Sequence, residues 1–512
     1  MGGDKFSNSE FESGPSCNLT AVDLEPCTIV IFGATGDLTA RKLIPALFDL
    51  FTDGNLPSPC VIVGCGRTSL SREEFVGRLL KKGPDFLAGH QRWQEFAALL
   101  YYRVIQYDSP ETYNELGSFL KELDREKATA GNIIFDLAVP PALYPVIAVN
   151  LSEVGLAREK EAGRGWTRIV IEKPFGRDLA SARELDQTLH LGFAEHQIFR
   201  IDHYLAKETV QNTIMFRFAN SIFEPLWNRD YIDYVGIVAA EELGVETRAG
   251  YYEGAGVVRD MFQNHMLQLL ALIAMEPPAS FSTKGIRDEK NKLFRCLRPL
   301  TAEGQGDALV LGQYGPGQVN GQDVPGYRQE VGVNRDSLTP TFAMMRLYLD
   351  NWRWQGVPFY LVSGKRLARK DTRMVIQFKE VPHSMFRKQL GEKINANRLT
   401  LGVFPEEEIR LSFQAKVPGQ RICMRTTELE FKYYEDFTGP VMAAYEKVLL
   451  DCMQGEQMFF WRQDGVELAW AFLDPILEAC EQCSDRSRQL GFYEAGSWGP
   501  EEVRGLLSSL MT

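Results

Sequence analysis

The stretch that decides the fold is Cys27 to Phe51, CTIVIFGATGDLTARKLIPALFDLF. Thr28 to Phe32 is apolar and β-branched. The run is continuous rather than alternating, as in a parallel strand covered on both faces. Gly33-Ala34-Thr35-Gly36 then predicts a turn, and Leu38, Leu43, Ala46, Leu47 and Leu50 recur at helical spacing. A strand, a glycine turn and a helix N-terminus make an anion site. The free N–H groups and the helix dipole face a ligand that glycine allows to approach. The pattern is Gly-x-x-Gly-Asp-Leu, not the full Gly-x-Gly-x-x-Gly fingerprint, so alone it also fits a tight turn with no ligand.

The neighbouring segments extend the pattern. CVIVGCGR (Cys60 to Arg67) is a second apolar strand. An acidic residue near its end would accept the ribose hydroxyls of NAD. This strand instead ends in Arg67 and Thr68. A guanidinium suits a 2′-phosphate, which points to NADP, with a solvated surface arginine as the plainer reading. NIIFDLAVPPALYPVIAVNL (Asn132 to Leu151) gives a strand, a Pro140-Pro141 break and a helix, and TRIVIEKPFG (Thr167 to Gly176) a strand ending in a polar turn. Strands alternating with helices predict a doubly wound, Rossmann-like α/β domain. Ligands then lie beyond the carboxyl ends of the strands, where Gly33, Arg67, Pro140 and Lys173 fall.

After about residue 200 the texture changes. Val235 to Arg248, Arg398 to Phe404, Glu408 to Val417 and Glu428 to Tyr434 alternate apolar and polar residues, the mark of antiparallel strands with one wet face. Val258 to Met275 reads as a helix buried nearly all round, and residues 300–335 as a long irregular excursion. The organisation expected is a polar tail over 1–26, a dinucleotide-binding domain over 27–200, and an α+β domain over 201–512 with a large, mainly antiparallel sheet.

The totals restrict the function classes. Length 512, 45% hydrophobic and 24% charged residues are those of a globular chain with room for a large core. A net charge of −12 argues against nucleic acid or anionic lipid as partner. No apolar run reaches the ~18 residues of a membrane span, and residues 1–22 carry neither a basic start nor an apolar run, so no signal peptide is expected. Phe6 stands where a myristoylation signal needs Ser or Thr. The nine cysteines are scattered, which favours free thiols and a cytoplasmic protein. The sequon Asn18-Leu19-Thr20 is then expected to be unused. Cys480 and Cys483 form one CxxC with no second pair, so no metal site is expected.

The chemistry concentrates in two polar clusters bounded by apolar sequence. One is RIDHYLAKETVQN, Arg200 to Asn212, with Asp202, His203, Tyr204 and Lys207 close together. Read as a helix, it sets His203 and Lys207 on one face. Two donors and a phenol are what a phosphate monoester needs, and Lys173 and the basic run Ser363 to Lys370 would add charge. The other cluster is Asp260 with Gln263-Asn264-His265. A buried histidine is most often a satisfied core group, but imidazole is also the side chain suited to base catalysis near neutrality. Asp202 is a candidate to hold its far nitrogen.

With these segments in view, the chain resembles the glucose-6-phosphate dehydrogenase family from about residue 27 to about 498. GATGDL is similar to the family's GASGDL, and IEKPFG, RIDHYLAKE and RDMFQNH follow in order, matching EKPFG, RIDHYLGKE and RDxxQNH. The resemblance implies that Gly33, Ala34, Thr35, Gly36, Asp37, Leu38 and Arg67 hold NADP. Tyr144 and Lys173 would lie at its nicotinamide end, with Lys173 also touching sugar. It implies that His203, Tyr204 and Lys207 clamp the 6-phosphate of glucose 6-phosphate, and that Glu241, Asp260 and Lys365 bind the sugar, with Lys370 close. It makes His265 the general base and Asp202 its partner, with no metal, in a homodimer or homotetramer. The implied reaction yields 6-phosphogluconolactone and NADPH.

Departures from the family pattern are Ala206 for glycine, Thr35 for serine, Gly402 and Phe404 for the Arg and Gln of an R-x-Q-P segment, and the tail LLSSLMT. Gly402 argues against a second, structural NADP site, and Phe404 keeps another hexose 6-phosphate open as substrate. A non-catalytic NADPH-binding protein is the remaining alternative.

Overall fold

The computed structural model describes residues 24–159, 165–300, 308–386, 394–419, 423–436, 442–482 and 490–511. Nearly all of the expected N-terminal tail, and Cys483 of the CxxC, lie outside them.

Six strands form the first sheet: β1 (Cys27–Phe32), β2 (Cys60–Gly66), β3 (Leu100–Val104), β4 (Ile133–Leu137), β5 (Thr167–Ile171) and β6 (Ile198–Arg200). Their order is β3-β2-β1-β4-β5-β6, and every pairing is parallel. β1 and β2 are buried along their whole length, as their uninterrupted apolar sequences require. The strand order reverses between β1 and β4. A crevice opens there at the carboxyl edge, where open α/β sheets bind ligands. β3 and β6 escape the sequence reading because one is a half-exposed edge strand and the other has three residues.

The second sheet contains β7 (Ile232–Ala240), β8 (Leu309–Gly315), β11 (Phe342–Leu347), β12 (Phe359–Gly364), β13 (Asp371–Phe378), β14 (Arg398–Phe404), β15 (Glu408–Lys416), β16 (Met424–Lys432) and β17 (Leu490–Glu494). A small hairpin, β9 (Gly317–Val319) and β10 (Gln322–Val324), stands apart. The order is β16-β15-β14-β13-β7-β12-β11-β8-β17. All pairings are antiparallel except β7 with β12 and β8 with β17. The sheet is thus the large, mainly antiparallel one expected.

Three local expectations are corrected. Asp202 to Lys207 is a run of turns, not a helix. The Asp202 side chain accepts from the Tyr204 N–H (3.1 Å) and its carbonyl from the Leu205 N–H (2.9 Å), a local alternative to helical bonding. Lys207 is the extended cap of the helix Glu208–Phe218. Val258 to Met275 is helical but not uniform, with a π-type segment Val258–Met266 before the α-helix Leu267–Ala274. The excursion at 300–335 holds β8 and the small hairpin, and residues 301–307 lie outside the described ones.

The late helices close the molecule. Val448, Leu449, Cys452 and Met453, from the helix Ala444–Gln454, share one apolar core with Ile29 and Ile31 of β1 and Leu47 and Phe48 of the helix Ile44–Thr52. The Arg168 guanidinium of β5 donates to the Cys452 and Met453 carbonyls at 2.6 and 2.8 Å. The backbone N–H of Leu179 donates to Asp474 of the helix Gln463–Gln482 (2.6 Å).

Candidate active site

The glycine turn is built as a cradle. Gly33 has φ +81°, which L side chains rarely adopt, and a Cβ there would stand 2.1 Å from the Ala138 carbonyl oxygen. The Gly33 and Ala34 N–H groups bond Cys65 O at 3.0 and 3.1 Å, and the Gly36 N–H closes the turn onto Gly33 O at 2.8 Å. A helix begins directly after this turn, at the carboxyl end of β1, and the first N–H groups of a helix lack partners within it. Ala34 is wholly buried and serves the turn through its backbone. Asp37 is exposed and paired with Lys82 (3.1 Å), which also donates to Thr35 O (3.1 Å). Arg67 is exposed at the end of β2, with its guanidinium 5.9 Å from the Tyr107 ring. Tyr144 is buried and its hydroxyl donates to Glu172 O (3.1 Å), so it shapes the wall of the crevice. Cradle, helix N-terminus and exposed guanidinium all stand at the carboxyl ends of β1 and β2, where such a sheet takes a dinucleotide.

The two sheets meet at the chemistry. Lys173 and Asp202 each follow a strand end by two residues, on the neighbouring parallel strands β5 and β6. The π-type segment supplies Asp260 and His265. Asp202 Oδ1 lies 2.5 Å from His265 Nδ1. The Lys173 ammonium donates to the Asp260 carbonyl (2.9 Å) and carboxylate (3.2 Å), and lies 3.0 Å from His265 Nε2. An ammonium can only donate, so His265 carries its proton on Nδ1, towards Asp202, and presents a lone pair at Nε2. The Tyr204 ring stacks on His265 (4.2 Å, 22°), and His203 meets it edge-on at 4.7 Å.

The electrostatics agree. Burial holds the His265 imidazole below its ordinary value, against the pull of Asp202, with Lys173 pushing the same way as burial. Burial alone would raise the Asp202 carboxyl, but His265, then His203 and Lys173, bring it down to about 2. Asp260 likewise falls to about 2, because Lys173 and Lys365 outweigh burial. Burial, with His265 and Lys173, drives His203 down to about 3, so it is neutral. The site therefore offers a neutral base beside an ionised carboxylate.

The second sheet brings the remaining groups to one end. β7 and β12 are parallel neighbours with Ala240 opposite Gly364, so Glu241 and Lys365 emerge side by side, their side chains 2.5 Å apart. Lys370 precedes β13, which runs antiparallel to β7, and reaches the same end. Phe404 closes β14 there. Its ring lies 4.0 Å from the Lys370 ammonium and 5.6 Å from that of Lys207, which is also 5.5 Å from the Tyr204 ring. Burial lowers the Lys207 ammonium, Glu407 opposes this and Lys370 adds to it. Ala206 is absorbed into the core beside the turn. A side chain at Gly402 would run into Glu406 O at 2.4 Å, so the strand end is closed to an arginine.

The structure thus brings Lys173, Asp202, His203, Tyr204, Asp260 and His265 together, gathers Lys207, Lys370 and Phe404 near Glu241 and Lys365, and leaves Arg67 beside Tyr107 at the end of β2. The sequence reading missed Tyr251, whose hydroxyl donates to Asp260 (3.4 Å), and Tyr252, whose ring lies 5.1 Å from the Lys365 ammonium. The pair in AGYYEG, just before the polar cluster, was the available signal. It also missed Asp186, His190 and Glu195, which gather at metal-ligand distance. Arg200 donates to Asp186 and Glu195 at 2.9 Å and Arg287 to Glu195 at 3.3 Å, so these carboxylates are already matched by guanidinium groups.

Comparison with known proteins agrees with this geometry. Residues 30–212 match the family model described as glucose-6-phosphate dehydrogenase, NAD binding domain, and residues 214–510 the model of its C-terminal domain. The glucose-6-phosphate 1-dehydrogenase of Aggregatibacter actinomycetemcomitans is 45% identical over 488 residues, covering 94% of this chain and 96% of that one. That of Treponema pallidum is 43% identical, covering 94% and 93%. A solved glucose-6-phosphate dehydrogenase in complex with its substrate glucose-6-phosphate superposes with a TM-score of 0.86 at 35% identity, over 96% of this chain and 98% of that one. The chain belongs to the glucose-6-phosphate dehydrogenase family, and its chemistry is that of an oxidoreductase using a nicotinamide dinucleotide.

Proposed function

We propose that the chain oxidises glucose 6-phosphate to 6-phosphogluconolactone, with NADP as oxidant. The observation that carries this is the orientation of His265. Nδ1–H points at Asp202 and the Nε2 lone pair faces the Lys173 ammonium. His265 Nε2 removes the proton of the anomeric hydroxyl. A bound dinucleotide would supply the hydride acceptor for the same carbon.

Asp202 fixes the tautomer and stabilises the imidazolium as it forms. Lys173, which caps Nε2 in this structure, turns its ammonium to the sugar oxygen as substrate enters, and its two bonds to Asp260 keep it within reach. Glu241, Asp260 and Lys365 hold the ring hydroxyls. His203, Tyr204, Lys207 and Lys370 form the phosphate end. Alignment contributes up to ~7–11 kcal/mol of the barrier.

Gly33 to Leu38 would hold the dinucleotide, with Tyr144 and Lys173 at its nicotinamide end and Arg67 on its 2′-phosphate. Gly402 leaves no side chain for a second, structural NADP site. Assembly as a homodimer or homotetramer is supported by the half-exposed outer strands β15 and β16, where Leu429 is 60% exposed. Among the described residues no helix is long and apolar enough to cross a membrane, and the cytoplasm is the compartment proposed.

Absorbance of the reduced nicotinamide tests the whole reading. Rapid NADPH formation with glucose 6-phosphate, and little with free glucose, is the expected result. Silence with NADP and NAD alike, in folded protein, would favour an NADPH-binding protein without catalysis. Faster turnover of galactose or glucosamine 6-phosphate would move the substrate, and Phe404 is the residue that keeps that outcome open. Arg67→Ala is expected to weaken NADP by about 10–100-fold, the worth of one or two charge-assisted bonds, and NAD by less than about threefold. Equal losses in a cofactor titration would remove Arg67 from the 2′-phosphate.

A further inference from the structure

The molecule holds a buried cation that the mechanism above does not use. Lys290 sits on the helix Thr283–Arg295 and is 2% exposed. Its ammonium has no hydrogen-bond partner among the described residues. Asp202 is equally buried. Oδ1 is engaged with His265 Nδ1 and the Tyr204 N–H, whereas Oδ2 also has no partner.

Hydrogen bonds link the two elements that carry them. Arg287, one turn before Lys290 on the same buried face, donates to Glu195 Oε1 and to Trp461 O, both at 3.3 Å. The Trp461 N–H in turn bonds Arg200 O at 3.1 Å, two residues before Asp202. The helix face carrying Lys290 is thereby tied to the strand that delivers Asp202. The neighbouring helix Leu267–Ala274 adds Gln268, whose Oε1 is buried and without a partner.

The other cations facing Lys290 are matched. Arg287 pairs with Glu195, and Arg462 with Asp288 and Asp464. Among the described residues Lys290 has no such carboxylate, yet a buried unpaired ammonium is costly. We infer that Lys290 is a positioning residue for the proposed base, a cation set behind Asp202 that stabilises its carboxylate and opposes a proton on His265. The inference rests on the dyad reading. It agrees with the field at Lys290, which burial, Arg287 and Arg462 push down to about 7 while Asp202 pulls the other way.

The consequence is read in the acid limb of kcat/KM, which reports the base in the free enzyme. With the cation present, His265 stays neutral to lower pH. Lys290→Met keeps the length and removes the charge. It is expected to move the limb up by about one pH unit, a tenfold loss at the acid side, with both KM values within about twofold at the plateau. Lys290→Arg keeps the charge and is expected to keep the wild-type limb. If Lys290→Met does not fold, Lys290→Gln serves the same comparison. An unmoved limb in a folded neutral variant, whether or not kcat or KM fall, overturns the inference. His265→Asn separates the two readings. If it retains turnover, the dyad itself fails; if it is inactive while the neutral variants keep the wild-type limb, only the role of Lys290 fails.

Discussion

His265→Asn is expected to lower kcat by about 10²–10⁴-fold, the usual worth of a positioned base, while the KM for glucose 6-phosphate changes little. The asparagine amide fills most of the imidazole's space, so Tyr204 and His203 keep a neighbour to pack against. It cannot place an unprotonated nitrogen at Nε2 with Asp202 behind it. Asp202→Asn should approach the same loss by another route, since an amide at 202 no longer selects the Nδ1–H tautomer. Steady-state rates beside a sugar-phosphate titration decide the matter. Near-normal kcat in folded His265→Asn would take the proton transfer away from this histidine.

The second large effect lies at the other end of the crevice. Gly33→Ala places a methyl 2.1 Å from the Ala138 carbonyl oxygen and 2.8 Å from its carbon, at φ +81°. Both partners are backbone, so no side chain can swing aside. The left-handed conformation costs ~1–2 kcal/mol, and forcing the neighbouring strand end away ~1–3 kcal/mol more. The melting temperature should fall by several degrees, and dinucleotide affinity should fall by about tenfold or more as the cradle opens. Because the loss falls on the shared cradle, NADP and NAD should suffer together, unlike the selective loss expected at Arg67. Unchanged melting and unchanged binding of both cofactors would mean that Ala138 moves without cost.

Four of the six strands in the first sheet were legible because each declares itself alone, while β3 and β6 do not. Thr28 to Phe32 is apolar at every position, and the residues after it supply both turn and helix. In the second sheet β15 and β16 have a wet face and were read as such, and β7 and β14 were read the same way although both are buried nearly throughout. The edge strand β16 alternates visibly, whereas β11 and β12 are buried nearly throughout and went unread beside their neighbours. In the site, residue types were readable and their relation was not. Asp260 and His265 are five apart, about 140° around an α-helix, which sets them on different faces. The π-type turn brings both within reach of Lys173. A widened turn depends on what packs around it, and nothing in VRDMFQNHM announces one. The supposed helical face of His203 and Lys207 failed for a related reason: Asp202 takes a local backbone N–H and breaks the helix before it starts.

The helix Ala444–Gln454 lies in the same core as β1, although more than 400 residues of chain separate them. As the chain leaves the ribosome, that core is therefore incomplete until nearly the whole protein has been made. The part of it that Val448, Leu449, Cys452 and Met453 will cover stays open for that interval. Such long-range closure makes for slow assembly. It also means that the cofactor half of the crevice gains its final support only when the sugar half is already built, so a nascent chain cut short before residue 444 lacks the backing its dinucleotide cradle needs.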